Sequence, residues 1–136
     1  MIFALKAQVS DPKVETFTFK AQKTMYDGKR IAQGDTLFVF ASENEGGSGL
    51  IARGIVASVK AIAKQPGIAR QTSRVSITVN RTALAKRRLG RSELKPFADW
   101  DDGRPETELN FKFYRQATDK LVGISDEAAA FLCKFF

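Results

Sequence analysis

The chain has 136 residues, with 22 lysine and arginine residues against 15 aspartate and glutamate residues and a net charge of +7. This length allows one domain with its own core, so we expect residues 1–136 to form a single domain. The chain has no histidine and one cysteine, which excludes catalysis by a Ser-His-Asp or Cys-His group within it, histidine-ligated zinc and an intrachain disulfide.

No apolar run is long enough to span a bilayer, so we expect no membrane association. The first segment, MIFALKAQVSDPK, alternates like a strand and lacks a basic region ahead of its apolar part. We therefore expect it to be part of the fold and not a signal peptide, and we expect a cytoplasmic location.

Alternating and continuous apolar patterns predict five strands in the first 80 residues. The run at 36–42 is nearly continuous, as in a strand that is buried on both faces. Gly54 lies inside the longest segment and predicts a bulge there. The predicted strands cover residues 2–9, 14–20, 36–42, 49–63 and 74–80.

The last quarter of the chain predicts two more strands and a helix. Residues 109–116 alternate, and 120–124 is read as their hairpin partner after a turn at 117–119. Ser125 is expected to cap a C-terminal helix whose apolar residues recur at helical spacing. The sum is an α+β, mostly β fold: a small barrel of about six to seven strands with a C-terminal helix and one or two short helices.

Gly34 and Asp35 open the central strand, and Ser42 and Asn44 follow it directly in a glycine-rich loop. Serine and asparagine side chains can hydrogen-bond the edge of a base, and glycines allow a ligand to approach the backbone closely. This segment predicts the mouth of a pocket, with an ordinary hairpin loop as the alternative.

Residues 60–95 contain ten basic residues and one acidic residue. Such an imbalance favours contact with phosphates, although a solvated surface is the alternative. The predicted phosphate-binding residues are those of the densest part, Arg81, Lys86, Arg87, Arg88 and Arg91.

Two aromatic residues in polar segments, Trp100 and Tyr26, are candidates to stack on a base. The alternative for Trp100 is that it closes one end of the barrel. The carboxylates around it, Asp99, Asp101 and Asp102, could hold a divalent cation in a nuclease, or form a solvated loop that folds back on the basic stretch.

The chain resembles the PUA-like superfamily, which includes EVE, YTH, ASCH and SRA domains. The resemblance lies in GDTLFVFAS with GLIARGIVASV, in LNFKFYRQATDKLVGIS and in ISDEAAAFL, in the same order. The first strand lacks the tryptophan usual in EVE domains, so the subfamily is not assigned. The resemblance implies a small barrel that binds RNA or DNA, often through one modified base in an aromatic-lined pocket, with Ser42 and Asn44 at pocket-lining positions. Some ASCH-like members are hydrolases of modified nucleosides.

These patterns together predict a non-enzymatic nucleic-acid-binding module without a cofactor or bound metal. The basic residues would hold phosphates, and an unpaired, flipped or modified base would enter a pocket near Ser42, Asn44, Trp100 and Tyr26. One alternative is a hydrolase or nuclease that uses the aspartates or a lysine. Another is a domain whose basic face binds an acidic protein. The sequence does not decide DNA against RNA, the base, or the oligomeric state.

Overall fold

A computed structural model describes residues 1–116 and 118–136. Its six strands form a closed barrel in the order β1-β3-β4-β5-β2-β6, with parallel pairs β1–β3 and β2–β6 and antiparallel pairs elsewhere. This confirms the predicted small barrel. Within these described ranges the strands are β1 (Ile2–Ala7), β2 (Thr16–Met25), β3 (Thr36–Ala41), β4 (Gly49–Ala61), β5 (Arg74–Leu84) and β6 (Lys120–Gly123).

Three helices cover one side of the barrel. They are α1 (Arg91–Leu94), α2 (Pro105–Phe113) and α3 (Asp126–Cys133), and short 3-10 turns lie at Gly28–Arg30 and Glu43–Glu45. The Ser125 hydroxyl accepts a hydrogen bond from the Ala128 amide at 3.1 Å, which confirms the predicted cap of the last helix.

None of the helices in the described ranges is long and apolar enough to cross a membrane.

The two faces of the strands enter two separate hydrophobic cores. In β1, Phe3 and Leu5 point into the barrel, whereas Ala4 points outward and packs beneath the helices. The outward core is completed by β3 and by large side chains of all three helices, including Phe40, Leu94, Phe113 and Leu132. The outer face of β1, β3 and β6 is therefore buried. For β3 this agrees with its nearly continuous apolar run, whereas the alternation of β1 alone assigns that face to solvent.

The predicted strand at 109–116 is wrong, because α2 occupies Pro105–Phe113. Leu109 and Phe113 are fully buried one helical turn apart, and Phe111 between them is only half-buried. Pro105 in the first turn, followed by Glu106 and Glu108, is a helix-start signal that the alternation concealed.

The strand predicted at 120–124 exists as β6, but its predicted hairpin with 109–116 does not. β6 instead pairs antiparallel with β1 and parallel with the end of β2, and so closes the barrel. The turn predicted at 117–119 includes Ala117, which lies outside the described residues.

Two glycine predictions agree with the strand register. The pairing of β4 with β5 shifts between Arg53 and Gly54, as expected of a bulge. Gly34 has φ +91°, which favours glycine, and its amide donates to Val56 O at 2.8 Å at the turn that opens β3.

Candidate nucleic-acid interface

The loop after β3 lies where β1 and β3 end side by side. The Ser42 amide donates to Ala7 O at 2.8 Å, and Ser42 O accepts from the Gly47 amide at 2.8 Å. The Ser42 side chain is buried, at 2% exposure, whereas Asn44 is exposed. The predicted pocket mouth is thus a tight turn that exposes Asn44 and Glu45, whereas the Glu43 side chain is only 12% exposed.

Two glycines allow the basic segment to pack against this loop. Gly49 has φ +83°, and a side chain there would fall on the Leu89 carbonyl; the Leu50 amide donates to that carbonyl at 2.8 Å. A side chain on Gly90 would meet the Glu43 carboxylate. The sequence therefore places residues 86–91 directly beside the loop, with no room for larger side chains between them.

Hydrogen bonds and ion pairs join the loop to the basic segment. Arg91 donates to Asn44 Oδ1 at 2.7 Å through its guanidinium and to Glu43 Oε1 at 2.9 Å through its backbone amide. Arg88 lies 3.5 Å from Glu43 Oε2 and 3.4 Å from Glu93 Oε1. One predicted pocket residue and two predicted phosphate-binding residues are thereby brought together.

The acidic partners of the basic segment are Glu43 and Glu93, not the acidic loop at 99–108. The carboxylates of that loop accept hydrogen bonds from its own residues. Asp102 accepts from the Arg104 amide and from Thr107 Oγ1, both at 2.9 Å, and these bonds lower the pKa of Asp102. In the described ranges no ion pair joins the acidic loop to the basic stretch, so the expected folding back of this loop has no salt bridge to support it.

The five predicted phosphate-binding residues differ in whether their side chains are already bonded within the chain. Arg81 donates to Val14 O at 2.9 Å and so ties β5 to the segment before β2. Lys86 and Arg87 are exposed and have no carboxylate partner among the described residues. Arg87 is held in place by Lys134 O, at 2.6 Å, and by the Phe135 ring, 4.6 Å away.

Lys86 and Arg87 line a concavity of about 320 Å³ together with Lys13 and Arg88. Its remaining lining is apolar or small, and no acidic side chain contributes to it. A concave surface with four cations and no carboxylate is suited to a phosphate group.

A buried polar cluster lies on the covered outer face of the sheet next to the loop. Lys6 and Lys120 are register partners in β1 and β6, and they are 1% and 0% exposed. Lys6 Nζ donates to Phe113 O at 2.8 Å and lies 3.9 Å from Asp119 Oδ1. Burial lowers the pKa of Lys6, and burial together with the charge of Lys6 lowers the pKa of Lys120 to about 8.

Tyr114 completes this polar cluster, which we define as Lys6, Tyr114, Asp119 and Lys120. Its ring lies between two cations, with Lys6 Nζ 5.2 Å and the Arg91 guanidinium carbon 6.0 Å from the ring centre. Burial raises the pKa of Tyr114, and the charge and side-chain contact of the nearby Glu43 carboxylate raise it further, so the hydroxyl is neutral. That hydroxyl oxygen is buried and has no hydrogen-bond partner among the described residues.

An unpaired buried hydroxyl is costly, by about 1–3 kcal/mol. The acceptor that acts on it within the chain is the Glu43 carboxylate, so the Tyr114 hydroxyl faces the contacts between the loop and the basic segment. The sequence does not reveal the cluster, because alternation in the first strand places Lys6 on the face opposite Phe3 and Leu5, which is the solvent face of a half-buried strand. The helix-start signal at Pro105 indicates the cluster, because α2 covers the face of β1 that carries Lys6.

Trp100 and Tyr26 lie apart from the Ser42–Asn44 loop. Trp100 is 73% exposed and so does not close the barrel; it lines a concavity of about 350 Å³ with Arg104 and Phe111. Tyr26 lines another, of about 270 Å³, on the other side of Phe111. Neither concavity is lined by Ser42 or Asn44, so the four residues of the predicted pocket lie in three places: the loop and two separate concavities.

The aspartates of the nuclease alternative do not converge. In the described ranges no group of three or more carboxylate, cysteine or histidine side chains could hold a metal ion. Asp99 accepts from the Asp101 amide at 3.2 Å, as in a local turn.

This barrel with its covering helices has the PUA-like fold, as the sequence resemblance implied. Solved structures similar to the chain include the DUF55 domain of human thymocyte nuclear protein 1, with TM-score 0.64 and 12% identity over 98% of this chain and 97% of that one. A protein from Pseudomonas syringae aligns over 100% of both chains, with TM-score 0.59 and 13% identity.

A third similar structure is that of human THYN1 protein in complex with 5-methylcytosine-containing DNA. It has TM-score 0.51 and 12% identity, over 97% of this chain and 95% of that chain. No protein-family model and no curated protein sequence matches the chain. At these identities the likeness establishes the fold, and the subfamily stays unassigned.

Proposed function

We propose that this protein is a non-enzymatic nucleic-acid-binding module that captures an unpaired, flipped or modified base. The observation that carries the proposal is the contact of the basic segment, through Arg88 and Arg91, with the loop that bears Ser42 and Asn44. The exposed cations Lys86 and Arg87 belong to the same segment. The phosphate-binding surface and the site for a base are then neighbours, as a module that holds one nucleotide requires.

The base is received at the exposed side chain of Asn44, beside the Arg91 guanidinium. Tyr114, and not Trp100, is the aromatic side chain next to this loop, with its ring centre 6.0 Å from the Arg91 guanidinium carbon. Support for a nucleic-acid ligand also comes from the similar human THYN1 protein, whose structure contains 5-methylcytosine DNA.

Binding of fluorescent single- and double-stranded DNA and RNA across a salt series tests the proposal. The expected result is binding that weakens steeply with salt, because phosphate contacts release counterions. The variant Lys86→Glu/Arg87→Glu should weaken binding by about tenfold or more, whereas Lys29→Glu/Arg30→Glu, with the same charge change on another exposed turn, should have a much smaller effect.

Absence of binding to every oligonucleotide at low salt would overturn the proposal. If an acidic protein bound the same surface instead, the interaction-domain alternative would replace it. A panel of oligonucleotides with single modified bases, compared at one salt concentration, then identifies the preferred base.

A further inference from the structure

A second basic surface lies at the far end of β4 and β5, in the connection between them. We call residues 60–74 the arm; residues 60–70 are all exposed. The arm has no acidic residue, and none of its cations forms an ion pair with a carboxylate in the described ranges. Its cations are Lys60, Lys64, Arg70 and Arg74.

Internal hydrogen bonds give the arm a defined shape. The Gln71 side chain accepts from the Gln65 amide at 2.8 Å and donates to Gln65 O at 2.6 Å and to Ile68 O at 3.1 Å. Lys64 and Arg74 of the arm, with Lys23 of β2, line a concavity of about 390 Å³ whose other side chains are neutral. The arm thus offers a second concave, cationic and acid-free surface.

Small hydrogen-bonding side chains connect the arm to Lys86 and Arg87. The outward positions of β4 and β5 include Ser58 and Thr78, whose hydroxyls are 2.6 Å apart, and also Ser76, Asn80 and Thr82. No aspartate or glutamate occurs anywhere in residues 46–92. Serine, threonine and asparagine are side chains that contact phosphate and sugar oxygens, so this strip favours a nucleic-acid backbone along its whole length.

The separation of the two basic ends matches the repeat of duplex DNA. At ~3.3 Å per residue, the 11 residues of β5 extend over roughly 33 Å. One turn of B-form DNA is about 34–36 Å long. In a duplex that lies along β4 and β5, phosphates one helical turn apart therefore face the arm at one end and Lys86 and Arg87 at the other.

We infer that the arm is a second phosphate-binding site, and that the outer face of β4 and β5 binds about one turn of duplex DNA. The inference rests on the proposed function and extends it, because it specifies duplex DNA as the ligand and about one helical turn as the length bound. Lys86 and Arg87 hold the duplex at the end nearest the base site, and Lys64 and Arg70 hold it about one helical turn away.

Binding to duplexes of increasing length tests the inference. We expect affinity to rise sharply between duplexes of about 6 and about 12 base pairs and little beyond about 18, since one turn is about 10 base pairs. The variant Lys64→Glu/Arg70→Glu should bind the longer duplexes no more tightly than the short ones. The slope of its log affinity against log salt concentration should be smaller by ~1–2, because each phosphate contact contributes about 0.9.

Lys64→Gln/Arg70→Gln, which adds no negative charge, should show the same change more weakly. The control Arg104→Glu/Arg115→Glu reverses two exposed charges near the ends of α2 and should leave the length dependence intact. Wild-type binding that does not depend on duplex length, or that both arm variants leave unchanged, overturns the inference while the proposed function stands. Wild-type protein that binds no nucleic acid overturns both.

Discussion

The Arg91 guanidinium donates to the Asn44 side-chain oxygen at 2.7 Å, although 47 residues separate them in the chain. One residue was predicted to bind phosphate and the other to bind a base. Their hydrogen bond joins the proposed phosphate surface to the proposed base site, and Arg91 also lies 6.0 Å from the centre of the Tyr114 ring.

Tyr114→Phe separates the role of the hydroxyl from that of the ring. Because Tyr114 Oη is buried without a partner among the described residues, its removal should leave the free energy of unfolding unchanged or raise it by about 1 kcal/mol. If the hydroxyl bonds the base, the same change should weaken oligonucleotide binding about tenfold. Chemical denaturation and a binding titration check both parts, and unchanged affinity would remove Tyr114 from the site.

The buried lysines predict an unusual pH dependence of stability. The folded pKa of Lys120 is about 8 against an ordinary value of 10.5, so the folded state binds fewer protons than the unfolded state between these values. The free energy of unfolding should therefore rise from pH ~8 to pH ~10, by on the order of 1–3 kcal/mol. Urea denaturation along this pH series measures the rise.

Lys120→Met should remove most of this rise, since methionine does not titrate. Lys20→Met, which changes an exposed lysine of β2, should leave it in place. A stability that falls over the same pH interval in the wild-type protein would contradict the buried positions of Lys6 and Lys120.

Trp100→Ala tests the stacking prediction directly. Since the side chain is 73% exposed, its loss should change the free energy of unfolding by less than about 0.5 kcal/mol. If Trp100 stacks on a base, affinity should fall by about 5- to 150-fold, from ~1–3 kcal/mol of stacking per base. Undiminished binding by the folded variant would exclude Trp100 and leave the base with Asn44 and Tyr114.

Gly49→Ala should displace the basic segment from the loop. Gly49 combines φ +83° with a backbone contact to Leu89, so we expect destabilisation by more than about 2 kcal/mol and weaker nucleic-acid binding. Gly46→Ala is the matched control: its φ is +84°, but nothing lies within 4 Å, so a loss of only about 1 kcal/mol is expected. Thermal unfolding of the two variants compares them, and equal losses would show that the contact with Leu89 is unimportant.

Most strands and the C-terminal helix of this protein can be predicted from local sequence patterns. Alternation places Phe3 and Leu5 on one face of a strand in any fold, and Ser125 with two acidic residues after it starts a helix from local hydrogen bonds alone. The acid-free basic stretch is likewise a property of composition. These features depend on neighbours in the chain, so they can be read before the fold is known.

Which element covers each strand face, and which loops come into contact, depends on how the whole chain packs. Lys6 alternates like a solvent residue, but α2 lies over it, and α2 itself was concealed because Leu109, Phe111 and Phe113 also fit a strand. Trp100 and Asn44 both lie in polar segments, yet only Asn44 reaches the basic segment. Burial and contact between distant segments arise from the packing of whole elements, and periodicity along the chain carries no information about them.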